Sequence, residues 1–252
     1  MAKSNKPKKQ QEKYIAGIQN VTANDLKNIS DGKSSEETNT DKIGDANTFI
    51  ELGVKSISLE RWREAQYAER ACHNTDLNNN PVHYADTYKT YFKYLGLGTD
   101  LEGLHVIEIG PAMHPALAIC KNYGQSIIIE PMGTTILEEF CKQNNIKFIS
   151  QPVETLSYIE EIDDMENVLE VWLFNVMQHV IDPEKVVARC KDIADRIRFF
   201  EPINTPVEAH HPHSFTGDDY VRWFGDSVQF YRGGCEPGFH TADCAYGVWV
   251  NQ

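Results

Sequence analysis

Residues 104–110 read LHVIEIG, a short apolar run that ends in Gly110 and is followed by Pro111, Ala112 and Met113. A continuous apolar run of this length is typical of a strand that is buried on both faces of a sheet. Glycine directly after such a strand lets the backbone come close to a ligand, and a helix that follows offers free amide groups. The stretch therefore predicts a strand of a parallel sheet with a binding site at its carboxyl end.

Strands and helices alternate from this point onward. The other predicted strands are QSIIIE at 125–130, IKFIS at 146–150, NVLEVWLFNV at 167–176, RIRFFEP at 196–202, SVQFYRGG at 227–234 and AYGVWV at 245–250. The predicted helices, the first of which opens with a turn, are 112–124, 134–145, 153–162, 182–195 and 216–225. Val- and Ile-rich strands separated by helices predict an α/β fold with a parallel sheet covered on both faces.

Residues 1–45 differ in composition from the rest. They are rich in Lys, Asn, Ser, Thr, Glu and Asp, and they contain too few large apolar side chains to offset the entropy of ordering. We predict a flexible polar tail there, a helical extension or lid over residues 46–102, and the main domain over residues 103–252. The extension holds two predicted helices, one opening at Ser58 and one over about residues 82–95.

The composition excludes several classes of protein. The 252 residues include 37 Asp and Glu against 24 Lys and Arg, a formal net charge of −13, which argues against a broad nucleic-acid-binding face. No apolar run reaches the roughly 20 residues that a membrane span needs, and the polar N-terminus is unlike a secretory signal. The six cysteines have no paired spacing and are typical of reduced thiols, so we expect a cytoplasmic protein with no membrane partner.

An acidic residue closes the second predicted strand. Glu130 follows Glu108 by twenty-two positions, and a carboxylate there can accept hydrogen bonds from both hydroxyls of a ribose. Ligands of open parallel sheets bind at the carboxyl ends of the strands. Together with the strand order, Gly110 and Glu130 indicate an adenosine-containing cofactor. A dinucleotide dehydrogenase is disfavoured, because the G-x-G-x-x-G motif is missing.

Three stretches, VIEIGPAMHPAL, IIIEPM and VWLFNVMQHVIDPEKVV, together with the order of elements over roughly residues 103–252, resemble the class I S-adenosylmethionine-dependent methyltransferases. The resemblance implies a Rossmann-like, doubly wound sheet of seven mostly parallel strands with an antiparallel C-terminal strand. It also implies S-adenosylmethionine as the cofactor. This chain departs from the family's first motif, which often carries three alternating glycines, because Ala112 and His114 stand in the later places.

The resemblance also assigns cofactor-binding residues. Glu108 and Gly110 would face the methionine end, Glu130 would bind the ribose, and Gln151 stands near the place where the family often has an adenine-binding Asp. Phe174 and Asn175 would lie beside the methyl group. The full predicted set is Glu108, Gly110, Pro111, Ala112, Glu130, Gln151, Phe174 and Asn175.

A loop rich in histidine follows the strand at 196–202. An oxygen acceptor benefits from a base, and a neutral imidazole suits that role, so we predict that one of His210, His211 and His213 is the catalytic base. The alternative is a polar loop with exposed histidines. The predicted substrate pocket takes a tyrosine from the lid and three residues from the helix at 216–225, namely Tyr88, Tyr220, Arg222 and Trp223. Arg222 equally fits an ion pair with Asp218 or Asp219 on its own helix.

Metal-capable side chains occur near the C-terminus. Cys235, His240 and Cys244 could be joined by the histidine loop, but their spacing matches no compact zinc pattern, so the sequence predicts no metal site.

The leading interpretation is methyl transfer from S-adenosylmethionine to a small-molecule or glycan acceptor, at a hydroxyl. Two alternatives stay open. The replacement of two motif glycines favours a binding or regulatory protein that keeps the methyltransferase fold without turnover. The lysines among residues 1–13 favour an enzyme acting on RNA or protein that is recruited through this tail. The acceptor and the oligomeric state do not follow from the sequence.

Overall fold

A seven-stranded sheet organises the residues that the computed structural model describes, which are 56–73, 81–156 and 169–251. The predicted tail and the end of the predicted helix at 153–162 lie outside the described residues. All described residues belong to one unit, Ala46–Gln252. None of the helices in these ranges has both the length and the apolar character that crossing a membrane requires.

The strands are β1 (His105–Ile109), β2 (Ser126–Ile129), β3 (Lys147–Ile149), β4 (Leu169–Phe174), β5 (Arg196–Pro202), β6 (Val228–Tyr231) and β7 (Cys244–Val250). They are arranged in the order β3-β2-β1-β4-β5-β7-β6. The pairs among β1 to β5 are parallel, whereas β7 pairs antiparallel with both β5 and β6. The predicted mostly parallel sheet with an antiparallel C-terminal strand is confirmed. The strand order reverses between β1 and β4, where open α/β sheets form their ligand crevice.

Five α-helices belong to the described residues: α1 (Leu59–His73), α2 (Pro81–Tyr94), α3 (Thr135–Asn144), α4 (Pro183–Ile193) and α5 (Gly217–Phe224). Local sequence explains where they begin. The side chain of Ser58 accepts from the Arg61 amide, Thr134 accepts from Leu137, and Asp182 accepts from Lys185. Each of these caps satisfies an amide that the first turn of a helix leaves unpaired.

The helix predicted at 112–124 is reduced to a single 3-10 turn, Ala116–Ile119. The backbone of Lys121 instead pairs with the chain at Thr99 and Leu101, and Asn122 follows with a φ of +56°. These contacts use the amide and carbonyl that a continuing helix would need, so the connection between β1 and β2 stays irregular apart from this turn.

The aromatic face of α2 packs on the sheet. Tyr91 stacks on Phe200 with a ring-centroid distance of 4.4 Å, and Phe92 meets Trp172 edge-on at 5.4 Å. Burial of these rings stabilises the packing of α2 on the sheet, since aromatic side chains bury large apolar areas. Tyr91 also borders the cavity described next.

Candidate functional site

A cavity of about 380 Å³ lies at the carboxyl ends of β1, β2 and β4. Its sheet side is formed by the ends of these strands and the loops that follow them, Ile109–Ala112, Ile129–Met132 and Phe174–Val176, with Pro152–Glu154 beside them. The opposite side is formed by side chains from α1 and α2 and by the connection between β6 and β7, namely Trp62, Gln66, Glu69, Tyr84, Tyr88, Tyr91 and residues 238–241. The volume lies within the range of about 300–1,000 Å³ that is common for small-molecule sites.

Three residues in the loops on the sheet side have left-handed backbone. Gly110, Ala112 and Asn175 have φ angles of +66°, +52° and +58°. A β-carbon on Gly110 would lie 2.1 Å from Cγ2 of Val176, so the loops after β1 and β4 meet only because glycine stands there. Non-glycine residues at positive φ are strained, and strain of this kind clusters at functional sites.

Glu130 holds the first of these loops. Its Oε2 accepts from the amide of Ala112 at 2.9 Å, and its Oε1 accepts from Met132 at 2.7 Å. The carboxylate is buried and lines the cavity. An ionised carboxylate is a hydrogen-bond acceptor, so Glu130 presents an acceptor to the cavity.

Three further buried carboxyl groups fasten the loops at this edge of the sheet. Glu108 accepts from the amides of Ala116 and Leu117 at 2.6 and 3.1 Å. Burial raises its pKa to about 7, although these two amides lower it. The carboxyl group of Glu108 therefore positions the loop, and the residue is not among those that line the cavity.

Glu201 and Glu154 hold the loop after β4 by accepting hydrogen bonds from its backbone amides. Glu201 accepts from the amides of Val176 and Met177, and burial raises its pKa to about 8. Glu154 accepts from Ile181 at 2.7 Å and borders the cavity, and burial raises its pKa as well. The sequence analysis missed both residues. The signal for Glu201 was available, because an acidic residue ends the apolar run RIRFFEP as Glu130 ends QSIIIE.

An aromatic wall faces these loops. The hydroxyl of Tyr88 donates to the carbonyl of His114 at 2.7 Å, which ties α2 to the loop after β1. Tyr91 and Phe174 lie 5.5 Å apart between ring centroids, so the residue predicted to lie beside the methyl group belongs to this wall. His240, from the connection between β6 and β7, lies with its Nε2 2.6 Å from the hydroxyl of Tyr91. Burial lowers the pKa of His240 to about 4, so the ring is neutral near neutral pH.

The predicted cofactor residues divide into two groups. Gly110, Pro111, Ala112, Glu130, Phe174 and Asn175 are brought together around the cavity, whereas Glu108 lies behind it and Gln151 is not in its lining. Among the predicted pocket residues only Tyr88 borders the cavity.

The expectation that α5 forms a pocket wall needs correction. Tyr220 is fully buried in the hydrophobic core, and Trp223 is buried there with its Nε1 donating to Glu184 at 2.8 Å. Arg222 forms ion pairs with Glu184 at 2.6 Å and with Asp219 at 3.5 Å. The apolar face of α5 packs on β5 and α4, because an amphipathic helix buries that face in the nearest core, here away from the ligand edge.

The histidine loop lies behind the cavity wall. Nε2 of His213 is 2.8 Å from the carbonyl of Val180, and the buried ring stacks on Phe215. His210 and His211 are in contact with each other and are separated from the cavity by Glu69 and His179, which line it. Burial and the neighbouring His210 lower the pKa of His211 to about 4. The predicted base is thus not among the lining residues, whereas His83, His179 and His240 are.

No protein-family model matches the chain, and no curated protein matches it significantly. Solved structures do match. The 1,6-didemethyltoxoflavin-N1-methyltransferase of Burkholderia thailandensis, crystallised with 1,6-didemethyltoxoflavin and S-adenosylhomocysteine, aligns with a TM-score of 0.54 at 9% identity over 80% of this chain and 94% of that chain. The N-methyltransferase NodS of Bradyrhizobium japonicum, crystallised with S-adenosylhomocysteine, aligns with a TM-score of 0.51 at 11% identity over 75% of this chain and 98% of that one.

A third match is an S-adenosylmethionine-dependent methyltransferase of Leishmania major, with a TM-score of 0.51 at 15% identity over 75% of this chain and 81% of that chain. The identities are too low to carry over residue roles, so the three alignments show the fold alone. The chain therefore has the fold of the class I S-adenosylmethionine-dependent methyltransferases.

Proposed function

We propose that the protein transfers a methyl group from S-adenosylmethionine to a small-molecule acceptor. The observation that carries the proposal is the cavity at the reversal of strand order, where the loops after β1, β2 and β4 meet an aromatic wall. Two of the matching structures contain S-adenosylhomocysteine, the product that such a transfer leaves.

The residues present fit this cofactor. Glu130 lines the cavity with a carboxylate that can accept hydrogen bonds from ribose hydroxyls, and the backbone at Gly110–Ala112 can come close to the methionine end because of its left-handed turns. Phe174 and Asn175 would lie beside the transferred methyl group, and Gln151 remains a proposal for the adenine. Glu108 would act by holding the loop after β1 rather than by contact.

The transfer needs alignment more than activation. The bound cofactor supplies a methyl group that is already electrophilic, and this chain would orient the acceptor and exclude water. The side chains from α1, α2 and the β6–β7 connection that roof the cavity suit that task.

The lining of the cavity restricts the acceptor. It contains the carboxylates of Glu69, Glu130 and Glu154, and no Lys or Arg of the described residues is part of it. An anionic acceptor is therefore disfavoured. A hydroxyl, on a small molecule or a glycan, remains our first proposal for the methylated group. Its proton would go to an imidazole, and His240 faces the cavity whereas the three loop histidines do not.

A nitrogen acceptor is the second candidate. Aromatic faces and carboxylates together favour a cation, and a neutral amine becomes cationic when it is methylated. A pKa of about 4 also makes His240 a weak base at neutral pH, and an amine that enters neutral needs none. Two of the matching structures are named N-methyltransferases.

Calorimetry with S-adenosylhomocysteine tests the first half of the proposal. We expect one site per chain and a much weaker affinity in Glu130→Ala, with the exposed Glu139→Ala on α3 as the matched control. A folded wild-type protein that binds no S-adenosylhomocysteine would refute methyl transfer and leave a binding or regulatory protein.

Mass spectrometry with methyl-labelled cofactor tests the second half. Matched panels of small alcohols, sugars and amines would be scanned for label. Transfer to alcohols or sugars supports the hydroxyl proposal, and transfer to amines supports the second candidate. Label found only on added RNA or protein would contradict a small-molecule acceptor.

A further inference from the structure

Two histidines and a carboxylate converge beside the cavity. Glu69 lies on α1, and His210 and His211 lie in the loop between β5 and α5, more than 130 positions later in the chain. One carboxylate oxygen and one ring nitrogen from each imidazole all lie within 4.8 Å of one another. The three side chains are partly buried, with 13% of the Glu69 side chain and 24% of the His210 side chain exposed.

The scaffold that brings them together does not depend on the three side chains. The guanidinium of Arg61 donates to the carbonyls of Ala209 at 3.0 Å and Glu208 at 2.8 Å, which ties α1 to the histidine loop. The amide of Glu208 donates to the carbonyl of His211 and closes the loop on itself. These contacts hold the backbone of the histidine loop next to α1, the helix that carries Glu69.

His179 also contacts the histidine loop. Its Nδ1 donates to the carbonyl of His210 at 3.1 Å, and its ring lies 4.8 Å from that of His211. Because the proton on Nδ1 is engaged in this way, His179 supports the position of the loop. A second carboxylate, Glu208, has its Oε2 3.6 Å from Nε2 of His210.

The spacing and the atom types fit a metal ion. A point equidistant from three atoms that are 4.8 Å apart lies about 2.8 Å from each, and metal–nitrogen bonds of about 2.0–2.1 Å need a shift of only about 0.7 Å by each side chain. Two imidazoles with one carboxylate are donors for zinc-like transition metals, whereas Mg²⁺ and Ca²⁺ prefer oxygen ligands alone.

We propose that Glu69, His210 and His211 bind a divalent transition-metal ion, with Zn²⁺ as the representative, at the wall of the cavity. Three protein ligands leave at least one coordination position open, as in catalytic rather than structural zinc sites. Glu69 itself lines the cavity, so the proposed metal site lies directly behind the cavity wall. The metal site stands without the proposed methyl transfer, since none of its ligands is among the proposed cofactor residues.

The ligand set differs from the one that the sequence suggested and then set aside. His240 is engaged with Tyr91, and Cys235 is exposed on the connection between β6 and β7. A nitrogen bonded to a metal cannot also accept a proton, so metal binding and the predicted role of His210 or His211 as a base exclude each other at that atom.

The test uses the full chain after removal of metal with a chelator. Zn²⁺ titrated by calorimetry should bind at one site per chain. Co²⁺ should give visible absorption bands that are typical of a protein site with a low coordination number. Glu69→Gln and His211→Asn should each weaken binding by at least about tenfold, the lower end of what loss of even an outer-shell partner costs. His83→Asn, at an exposed histidine that also borders the cavity, should leave the affinity unchanged.

Two further measurements keep the outcome decisive. Circular dichroism should be the same for both ligand variants and the wild type, and calorimetry with S-adenosylhomocysteine should be the same for His211→Asn, which does not line the cavity, and the wild type; this separates loss of the metal site from loss of the fold or of the proposed function. A wild-type crystal soaked in Zn²⁺ should show an anomalous peak among the three side chains. No peak there, or equal Zn²⁺ affinity in the wild type and the two ligand variants, overturns the proposal.

Discussion

Glu201 makes the stability of the fold depend on pH. It is 1% exposed at the end of β5, and its two oxygens accept from the amides of Val176 at 2.9 and 3.1 Å and of Met177 at 3.2 Å. Burial disfavours the charged form and raises its pKa from 4.5 to about 8. Between these two values the folded chain holds a proton that the unfolded chain has lost.

The sign follows from proton linkage. Because the folded state binds more protons in this range, the contribution of Glu201 is fully present below about pH 4.5 and is lost as the pH rises through about 8. One pKa unit corresponds to about 1.4 kcal/mol, so the loss is about 1.4 kcal/mol per pH unit and several kcal/mol in total. Glu108, with a pKa of about 7, has the same sign and adds to the slope between about pH 5 and 7.

Glu201→Gln isolates this contribution, since glutamine resembles the protonated acid in shape and stays neutral. We expect the free energy of unfolding of the variant, minus that of the wild type, to rise by about 1.4 kcal/mol per pH unit from pH 5 to 8 and to level off above. Urea unfolding followed by tryptophan fluorescence at each pH measures the difference. The matched control is Glu139→Gln on the surface of α3, which removes an exposed carboxyl group instead of a buried one. A constant difference for Glu201→Gln would refute the reasoning, because the buried carboxyl group would then be ionised in the folded protein.

Three other substitutions test the site and its support. Gly110→Ala should destabilise the fold by at least about 2 kcal/mol and weaken binding of S-adenosylhomocysteine, because the new β-carbon combines a left-handed φ with a close contact to Val176. Gly96→Ala is the control, since Gly96 has a φ of +61° with open space around it and measures the backbone cost alone. Equal effects of the two substitutions would contradict a role for the contact with Val176. Glu130→Ala should weaken binding of S-adenosylhomocysteine by about 1–3 kcal/mol in calorimetry, as loss of hydrogen bonds at a site does, and an unchanged dissociation constant would remove Glu130 from the site. Glu170→Ala should lower the free energy of unfolding in urea by about 3–5 kcal/mol, because it leaves the buried Arg198 without the carboxylate that it contacts at 2.6 Å. Asp86→Ala, in an exposed pair with Lys89, should lower it by less than about 1 kcal/mol. Similar losses for the two would show that burial does not govern the strength of these pairs.

Local patterns in the sequence determined the sheet and its ligand edge. Apolar runs such as LHVIEIG and QSIIIE satisfy their backbone hydrogen bonds and bury their side chains as inner strands of a sheet. The order of strands and helices could therefore be predicted from the sequence. The glycine after β1 and the glutamate after β2 could also be identified from the sequence, because each directly follows a predicted strand. Gly110 and Glu130 border the cavity, and their part in cofactor binding stays a prediction.

The tertiary structure alone decided which polar side chains meet. Tyr91 and His240 are 149 positions apart and form a 2.6 Å contact, and Glu69 meets His210 and His211 only because Arg61 ties α1 to their loop. The apolar face of α5 was evident from its spacing, yet whether it would cover the core or the cavity depended on how the helix packs on β5 and α4. Secondary structure is decided by neighbours within a few positions, whereas a site of this kind is assembled from loops whose spacing in the chain carries no information about their distance in the fold.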